Sequence, residues 1–253
     1  MKDVLGEALS DYYQHGAAAK LWVHNKYGPK EEMRVAVYFR DADKMPELEW
    51  IALQHCKGRV LDIGAGAGSH SLVLQQMGLD VTALDLSPGA ASVMEQRGVK
   101  KILRQDFFEL SPGDLATAGT GVPANHDRGI GAGVGTFDTL LLMMNGIGLA
   151  GTLDGLRRFL GQARKIMAPG ATLIFDSSDL AYMYDGKVPA GLPEYYGEIL
   201  YQYGYRRQRS DWFKWLFIDR KTLTSLAAEE GWRTELLFED ESDQYLVKCK
   251  PAN

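Results

Sequence analysis

Glycines recur at every second position at Gly64, Gly66 and Gly68 in the run RVLDIGAGAGSHS, and Asp85 closes the run DVTALD that follows. Removing alternate Cβ atoms lets the backbone turn sharply and lets a ligand lie against bare amides at the start of a helix. Asp85 follows the apolar VTAL, so its carboxylate falls at the C-terminal end of a strand, where two vicinal ribose hydroxyls can each donate to it. A dinucleotide site would carry G-x-G-x-x-G with a pyrophosphate over the helix N-terminus. Here the third glycine comes one residue early and Ser69 follows it. Asp62, two residues before the first glycine, would repel a pyrophosphate but welcomes the ammonium of a zwitterionic amino-acid tail. Two cofactor classes therefore compete here, a dinucleotide and a ligand with a zwitterionic amino-acid tail, and Asp62 with the shortened spacing favours the second.

The three runs LDIGAGAG, LDLS and QDFF (Gln105 to Phe108), in that order and at that spacing, resemble the class I S-adenosylmethionine-dependent methyltransferases. The resemblance covers roughly residues 47–250. It implies that S-adenosyl-L-methionine is the cofactor, that Gly64, Gly66 and Gly68 cradle its methionine end, that Asp85 holds the ribose, and that Asp106 meets the adenine amino group. Asp62, Ala65, Leu86, Phe107 and Asn145 complete the expected cofactor contacts. An NAD-dependent oxidoreductase would also place Asp85 on a ribose, but it conflicts with Asp62 and the shortened glycine spacing. A non-catalytic module that merely retains the cofactor is the third reading.

Methyl transfer from a sulfonium is an in-line displacement that is accelerated by holding donor and acceptor in near-attack geometry, so a base is not obligatory. Asn145, in MMNGIG after the fourth strand, is the first candidate for the acceptor site: its side-chain carbonyl can accept from an amine or hydroxyl. Asn-Gly also simply makes turns. Asp176, at the end of the fifth strand, can orient or deprotonate a nucleophile, or can serve the turn in DSSD. His70 opens the helix after the glycines, and a solvent-facing position is expected for it. His24, Tyr12 and Tyr13 are weaker candidates. The amino-methylating relatives that act on nucleobases or glutamine carry an Asn/Asp-Pro-Pro-aromatic motif where this chain has Asn145-Gly146, which argues against that substrate class.

The elements that must position these residues alternate legibly. Strands are expected at 60–63, 80–84, 101–105, 137–144 and 171–178, and near 232–238 and 244–249. Helices are expected at about 69–77, 88–97, 153–167 (ended by Pro169-Gly170) and 220–230. This is an α/β fold, doubly wound on a mostly parallel sheet. The resemblance adds seven strands in a Rossmann-like arrangement, the last antiparallel. Residues 1–57 read as an N-terminal helical extension or cap, with helix-like pieces around Val4–Tyr13 and Glu47–Cys56, and residues 58–250 as the methyltransferase domain. Residues 111–136 form a Gly-rich loop. Residues 177–217 form a β-hairpin insertion at the carboxyl edge of the sheet, the expected place for substrate recognition. Its aromatics Tyr195, Tyr196, Tyr201, Tyr203, Tyr205, Trp212, Phe213 and Trp215 either line a cavity or fill the face of a sheet.

Composition sets the outer bounds. The chain has 253 residues, 45% of them hydrophobic, and a net charge of −5, so no global positive field draws it to phosphate backbones or anionic lipid. The basic run Tyr205 to Arg209 reads as a solvated hairpin turn. Cys56 and Cys249 lack metal-ligand spacing, and no metal is expected. With no signal-like N-terminus and no apolar run of membrane-spanning length, the expected location is the cytoplasm. The expected partner is a small-molecule methyl acceptor, with no nucleic acid and no membrane.

Overall fold

The computed structural model describes residues 2–111, 136–185, 187–189 and 191–252. In chain order the elements are α1 (Val4–His15), β1 (Leu21–Asn25), β2 (Glu31–Met33), α2 (Glu47–His55), β3 (Arg59–Ile63), α3 (Ser69–Gln76), β4 (Asp80–Leu84), α4 (Pro88–Arg97), β5 (Ile102–Leu103) and β6 (Phe137–Leu142). They continue with α5 (Leu153–Ile166), β7 (Met167–Ser178), β8 (Glu198–Tyr205), β9 (Gln208–Arg209), β10 (Phe213–Leu216), α6 (Arg220–Glu229), β11 (Trp232–Glu239) and β12 (Gln244–Pro251). The Gly-rich loop expected over 111–136 lies, apart from its two end residues, outside the described residues.

Seven strands form one sheet in the order β5-β4-β3-β6-β7-β12-β11. The strand β12 runs antiparallel to both neighbours, and every other pair is parallel. Buried on both faces, β3, β4, β6 and β7 need apolar side chains throughout, which is why they read as continuous hydrophobic runs. One face carries α5 and α6, packed through Phe159, Leu160, Leu223 and Leu226. The other carries α2 and α3, through Leu48, Leu53, Val73 and Leu74. The fold expected from sequence is therefore present.

Several boundaries shift by a residue or more, and two of the shifts have a plain physical reason. Helix α5 buries Leu156, Phe159, Leu160 and Ala163 at helical spacing, and the Thr152 hydroxyl accepts the Gly155 N–H (2.9 Å) at its start. It stops at Ile166, and β7 begins at once, running through Pro169 and Gly170 with a register shift against β6. An irregular pairing absorbs the donor that proline lacks, so this Pro-Gly pair sits inside a strand rather than between elements. At the edge of the sheet, the strand expected over 101–105 contracts to Ile102–Leu103, and short edges are the rule.

The larger correction concerns the N-terminal section. It is not only helical: β1 and β2 join the insertion in a second, antiparallel sheet ordered β10-β8-β1-β2, with β9 also on β8. Across it Val23 pairs with Glu31 on one side and Tyr203 on the other, and Asn25 pairs with Tyr201. Helix α1 packs on α4 through Val4, Ala8, Leu9, Ala90 and Val93. Helix α2 belongs to the core of the main sheet. No described helix is long and apolar enough to cross a membrane.

Candidate active site

A cavity of about 650 Å³ opens where β3, β4 and β6 end, between the main sheet and the small one. Its floor is the glycine turn. Gly64 has φ +71 and a Cβ there would project into open space, whereas at Gly66 (φ +57) it would press on the Tyr38 ring at 3.1 Å. The third glycine does something else. At Gly68 (φ +81) a Cβ would collide with Val99 at 2.8 Å and Met94 at 2.9 Å, so its smallness lets α3 approach the end of α4. Gly68 does not line the cavity, which corrects the expectation that it touches the cofactor.

The turn is tied down by its own amides. Gly64 and Ala65 donate to the Leu84 carbonyl at 2.8 and 3.1 Å, and Gly66 donates to Asp85 Oδ2 at 2.8 Å. The other Asp85 oxygen accepts the Ser87 N–H at 2.9 Å. A carboxylate offers about four lone-pair sites, so each oxygen keeps one for a further donor. Burial raises the Asp85 pKa, against the two amides. Asp62 is buried and accepts the Ser71 hydroxyl at 2.6 Å. Burial raises its pKa too, against His70 and Ser71. Asp106 accepts the Phe108 N–H at 2.9 Å and so caps a short 3-10 turn. Phe107 stacks on Phe159 with ring centroids 4.4 Å apart. Asp62, Gly64, Ala65, Asp85, Asp106 and Phe107 all line the cavity, as does Leu86, which stays 57% exposed at its rim.

Asn145 stands at the end of β6, in a backbone with φ +62 at Met144 and +56 at Asn145. Two successive non-glycine residues in that region hold only where surroundings enforce them, and the enforcement is visible. The Asn145 N–H donates to both oxygens of Asp176 at 2.9 and 2.8 Å, and its side-chain amide donates to the Leu216 carbonyl at 3.2 Å. Its Oδ1 is buried without a hydrogen-bond partner among the described residues. Asp176 is 0% exposed, does not line the cavity, and also accepts from Gln244 at 3.0 Å. Its oxygens are committed to the backbone behind the site, so the sequence-based expectation of a catalytic carboxylate is corrected to a positioning one. Burial pushes its pKa up to about 6, against the Asn145 and Gln244 donors.

Two polar residues, Arg40 and Glu49, escaped the sequence reading, and a third, His70, was misplaced by it. Arg40 pairs with Glu49, and the second Glu49 oxygen meets His70 Nε2 at 2.9 Å. Glu49 and His70 are 5% and 7% exposed, and all three line the cavity. The expected solvent-facing His70 is thus corrected: it is buried and paired. Burial alone would lower its pKa, but the Glu49 hydrogen bond and the Asp62 and Glu49 charges leave it raised. Arg40 Nε is buried without a partner among the described residues. With Arg40 and Asp62 lining the same cavity as Gly64, groups of both signs are available to a zwitterion.

The small sheet forms the opposite wall, through Val23, Asn25, Glu31, Tyr201, Tyr203 and Trp215. Of the other aromatics expected there, Tyr195 and Tyr196 donate to Asp219 and Asp179, both at 2.7 Å. Tyr205 is a core residue bonded to Asp11 at 2.6 Å. Phe213 packs its ring 5.0 Å from that of Tyr203, and Trp212 is exposed. The basic run does form a hairpin turn, with Arg206 at φ +52 and ion-paired to Asp11. Tyr12 packs on Phe39, Tyr13 donates to the Gln96 carbonyl at 3.1 Å, and neither these nor His24 lines the cavity. No cluster of metal-ligating side chains occurs among the described residues.

The sequence profile of the family described as "Methyltransferase domain" matches residues 38–237. A SAM-dependent methyltransferase from Bacteroides fragilis, solved in complex with S-adenosyl-L-homocysteine, superposes with a TM-score of 0.85 at 33% identity, covering 100% of this chain and 96% of that one. A ubiquinone biosynthesis O-methyltransferase of Xanthomonas oryzae pv. oryzae is 38% identical over 63 residues, 25% of this chain and 26% of the relative. Glycine N-methyltransferase of Rattus norvegicus is 26% identical over 200 residues, 76% of this chain and 62% of the relative. The chain thus spans about a quarter of the first curated relative and less than two thirds of the second.

Proposed function

The chain belongs to the methyltransferase-domain family, and on that premise we propose that it is an S-adenosylmethionine-dependent enzyme that methylates an oxygen or nitrogen nucleophile of a small molecule. The observation that carries this reading is one cavity lined both by the glycine turn with its carboxylates and by Asn145, whose buried Oδ1 awaits a donor. The residues present fit the cofactor: a Cβ at Gly64 would enter the space it needs, and Arg40 Nε is an orphaned buried donor.

The bound cofactor supplies an electrophilic methyl group on a positively charged sulfur. Asp85 offers its two remaining lone-pair sites to the ribose hydroxyls, and Asp106 serves the adenine amino group as in the family. Asp62 and Arg40 hold the ammonium and carboxylate of the amino-acid tail. The Asn145 Oδ1 accepts an N–H or O–H of the methyl acceptor and so fixes where its lone pair points. Asp176, bonded to the Asn145 amide and to Gln244, keeps that turn in place. Catalysis is by positioning, and orientation of this kind is worth several kcal/mol of barrier. The two curated relatives act on different atoms by name, one an O- and one an N-methyltransferase. Two buried, free cysteines, Cys56 and Cys249, suit a reducing compartment such as the cytoplasm.

The test is a thermal-shift titration with S-adenosylhomocysteine alongside NAD, since a ligand that binds only the folded state must raise its apparent stability. Stabilisation by S-adenosylhomocysteine alone is expected. Stabilisation by NAD alone refutes the proposal.

A further inference from the structure

Register within the small sheet decides which side chains look into the cavity. Residues directly opposite one another across antiparallel strands point to the same face. Val23 sits between Glu31 and Tyr203, and Asn25 is beside Tyr201, and all five line the cavity. On β10, Trp215 shares this wall. It is braced against the turn that follows Asn145, where a Cβ on Gly148 would lie only 2.0 Å from the indole nitrogen. The wall that faces the acceptor is therefore aromatic and acidic.

Its charges are one-sided. Arg40 is paired with Glu49 and assigned above to the cofactor's carboxylate, and Glu32 is paired with Lys20 at 2.7 Å. Glu31 is exposed at the mouth and has no ion-pair partner among the described residues. Its charge reaches into the cavity: the Tyr201 hydroxyl is pushed up to about 12, by burial first and by Glu31 second. No cation free of a carboxylate partner lines the cavity among the described residues. A carboxylate beside electron-rich rings attracts a cation. Asn145, 9% exposed, adds an Oδ1 without a partner among the described residues, which asks for a donor from the same molecule.

Resting on the function proposed above, we propose that the acceptor is a small amine, admitted as its ammonium against Glu31 and the rings of Tyr201, Tyr203 and Trp215, and methylated on that nitrogen. The ammonium first gives one proton to water. The nitrogen lone pair then forms the N–CH3 bond as the S–CH3 bond breaks, its electron pair staying on sulfur as a thioether. Positive charge thus passes from sulfur to nitrogen, which an acidic aromatic wall stabilises, and the product leaves as an ammonium. A hydroxyl acceptor is a weak nucleophile at its ordinary pKa and needs a base to take its proton. Among the described residues His70 is the one histidine lining the cavity, and it is already bonded to Glu49.

The experiment uses the full chain in two stages. The first measures S-adenosylhomocysteine binding alone, and failure there sinks the proposed function itself. The second titrates the S-adenosylhomocysteine-loaded protein with benzyltrimethylammonium, a permanent cation that cannot be methylated, and separately with benzyl alcohol. The cation is expected to bind at least about tenfold more tightly. Glu31→Gln, an exposed substitution, is expected to remove about tenfold of that affinity while the S-adenosylhomocysteine affinity of the variant stays as in the wild type. Equal or absent binding of the cation, or a Glu31→Gln variant that binds it as the wild type does, overturns the amine proposal and leaves the cofactor reading standing.

Discussion

Each oxygen of Asp85 already accepts a backbone N–H, one from Gly66 in the glycine turn and one from Ser87 at the start of α4. Asp85→Ala therefore loosens the turn as well as deleting the ribose contact proposed for it. S-adenosylhomocysteine binding should weaken by about 2 to 4 kcal/mol, two charge-assisted hydrogen bonds' worth, and calorimetry giving wild-type affinity would refute the assignment. Asp176 makes a prediction in pH. Its folded pKa of about 6 lies above the unfolded value, so the folded chain holds that proton more tightly. The stabilisation is complete at pH values below the unfolded pKa and is lost as pH rises through about 6. The difference in unfolding free energy between wild type and Asp176→Asn should therefore fall by about 2 to 3 kcal/mol between pH 4 and pH 7. A difference that stays flat over this range would show that Asp176 titrates normally. At this scale the sequence disclosed residues tied to a local motif, such as Asp85 beside its strand end. It hid Arg40, Glu49 and the burial of His70, because their pairing brings together α2, α3 and the segment before α2, and nothing near Glu49 in ELEWIALQH marks it as buried.

Within the glycine turn, similar residues carry different burdens. Gly68→Ala would force a Cβ into Val99 and Met94 at a positive φ, and should destabilise the fold by about 1 to 3 kcal/mol. Gly64→Ala shares the strain of a positive φ but meets no described atom and narrows the cavity, so it should cost less stability than Gly68→Ala and more cofactor affinity. Denaturation and S-adenosylhomocysteine titration of both variants separate the two roles, and a Gly68→Ala protein of unchanged stability would remove the packing role from that glycine. The same division explains what could be read of the elements. Strands β3, β4 and β6 were legible because burial on both faces demands apolar runs, and α4 because Ser87 and Pro88 mark its start and Gly98 its end. Pro169-Gly170 misled because a breaker signals a departure from helix without saying whether a loop or a bulged strand follows.

Across the whole molecule, a half-buried carboxylate adds to the packing of the N-terminal helix on α4. Asp3 accepts the Gly6 N–H (3.0 Å), the Ser87 hydroxyl (2.8 Å) and the Gly89 N–H (2.9 Å), and a Cβ on Gly89 would lie 2.6 Å from the Gly6 backbone. Because Leu5 lines the cavity, unseating α1 also opens the site. Gly89→Val should cost about 1 to 3 kcal/mol, a fall in Tm of roughly 2 to 10 °C, and should speed hydrogen exchange in α1. An unchanged Tm with unchanged exchange would show that the two helices do not meet so closely. The small sheet was the feature least accessible to sequence reading. LWVHN alternates over only five residues, too few to declare a strand whose partner at 201–205 lies near the far end of the chain.

That pairing has a consequence for biosynthesis. The β1 and β2 half of the small sheet leaves the ribosome long before β8 exists to receive it, whereas β3 to β6 can begin to pair as they emerge. Non-local pairings of this kind form slowly, so β1 and β2 must wait with one edge unsatisfied while the nucleotide half assembles. Selectivity for the acceptor, on the function proposed above, is then a late competence of a newly made chain. It is also one that cannot be transplanted by moving the hairpin insertion alone, because half of the surface would stay behind at the amino terminus.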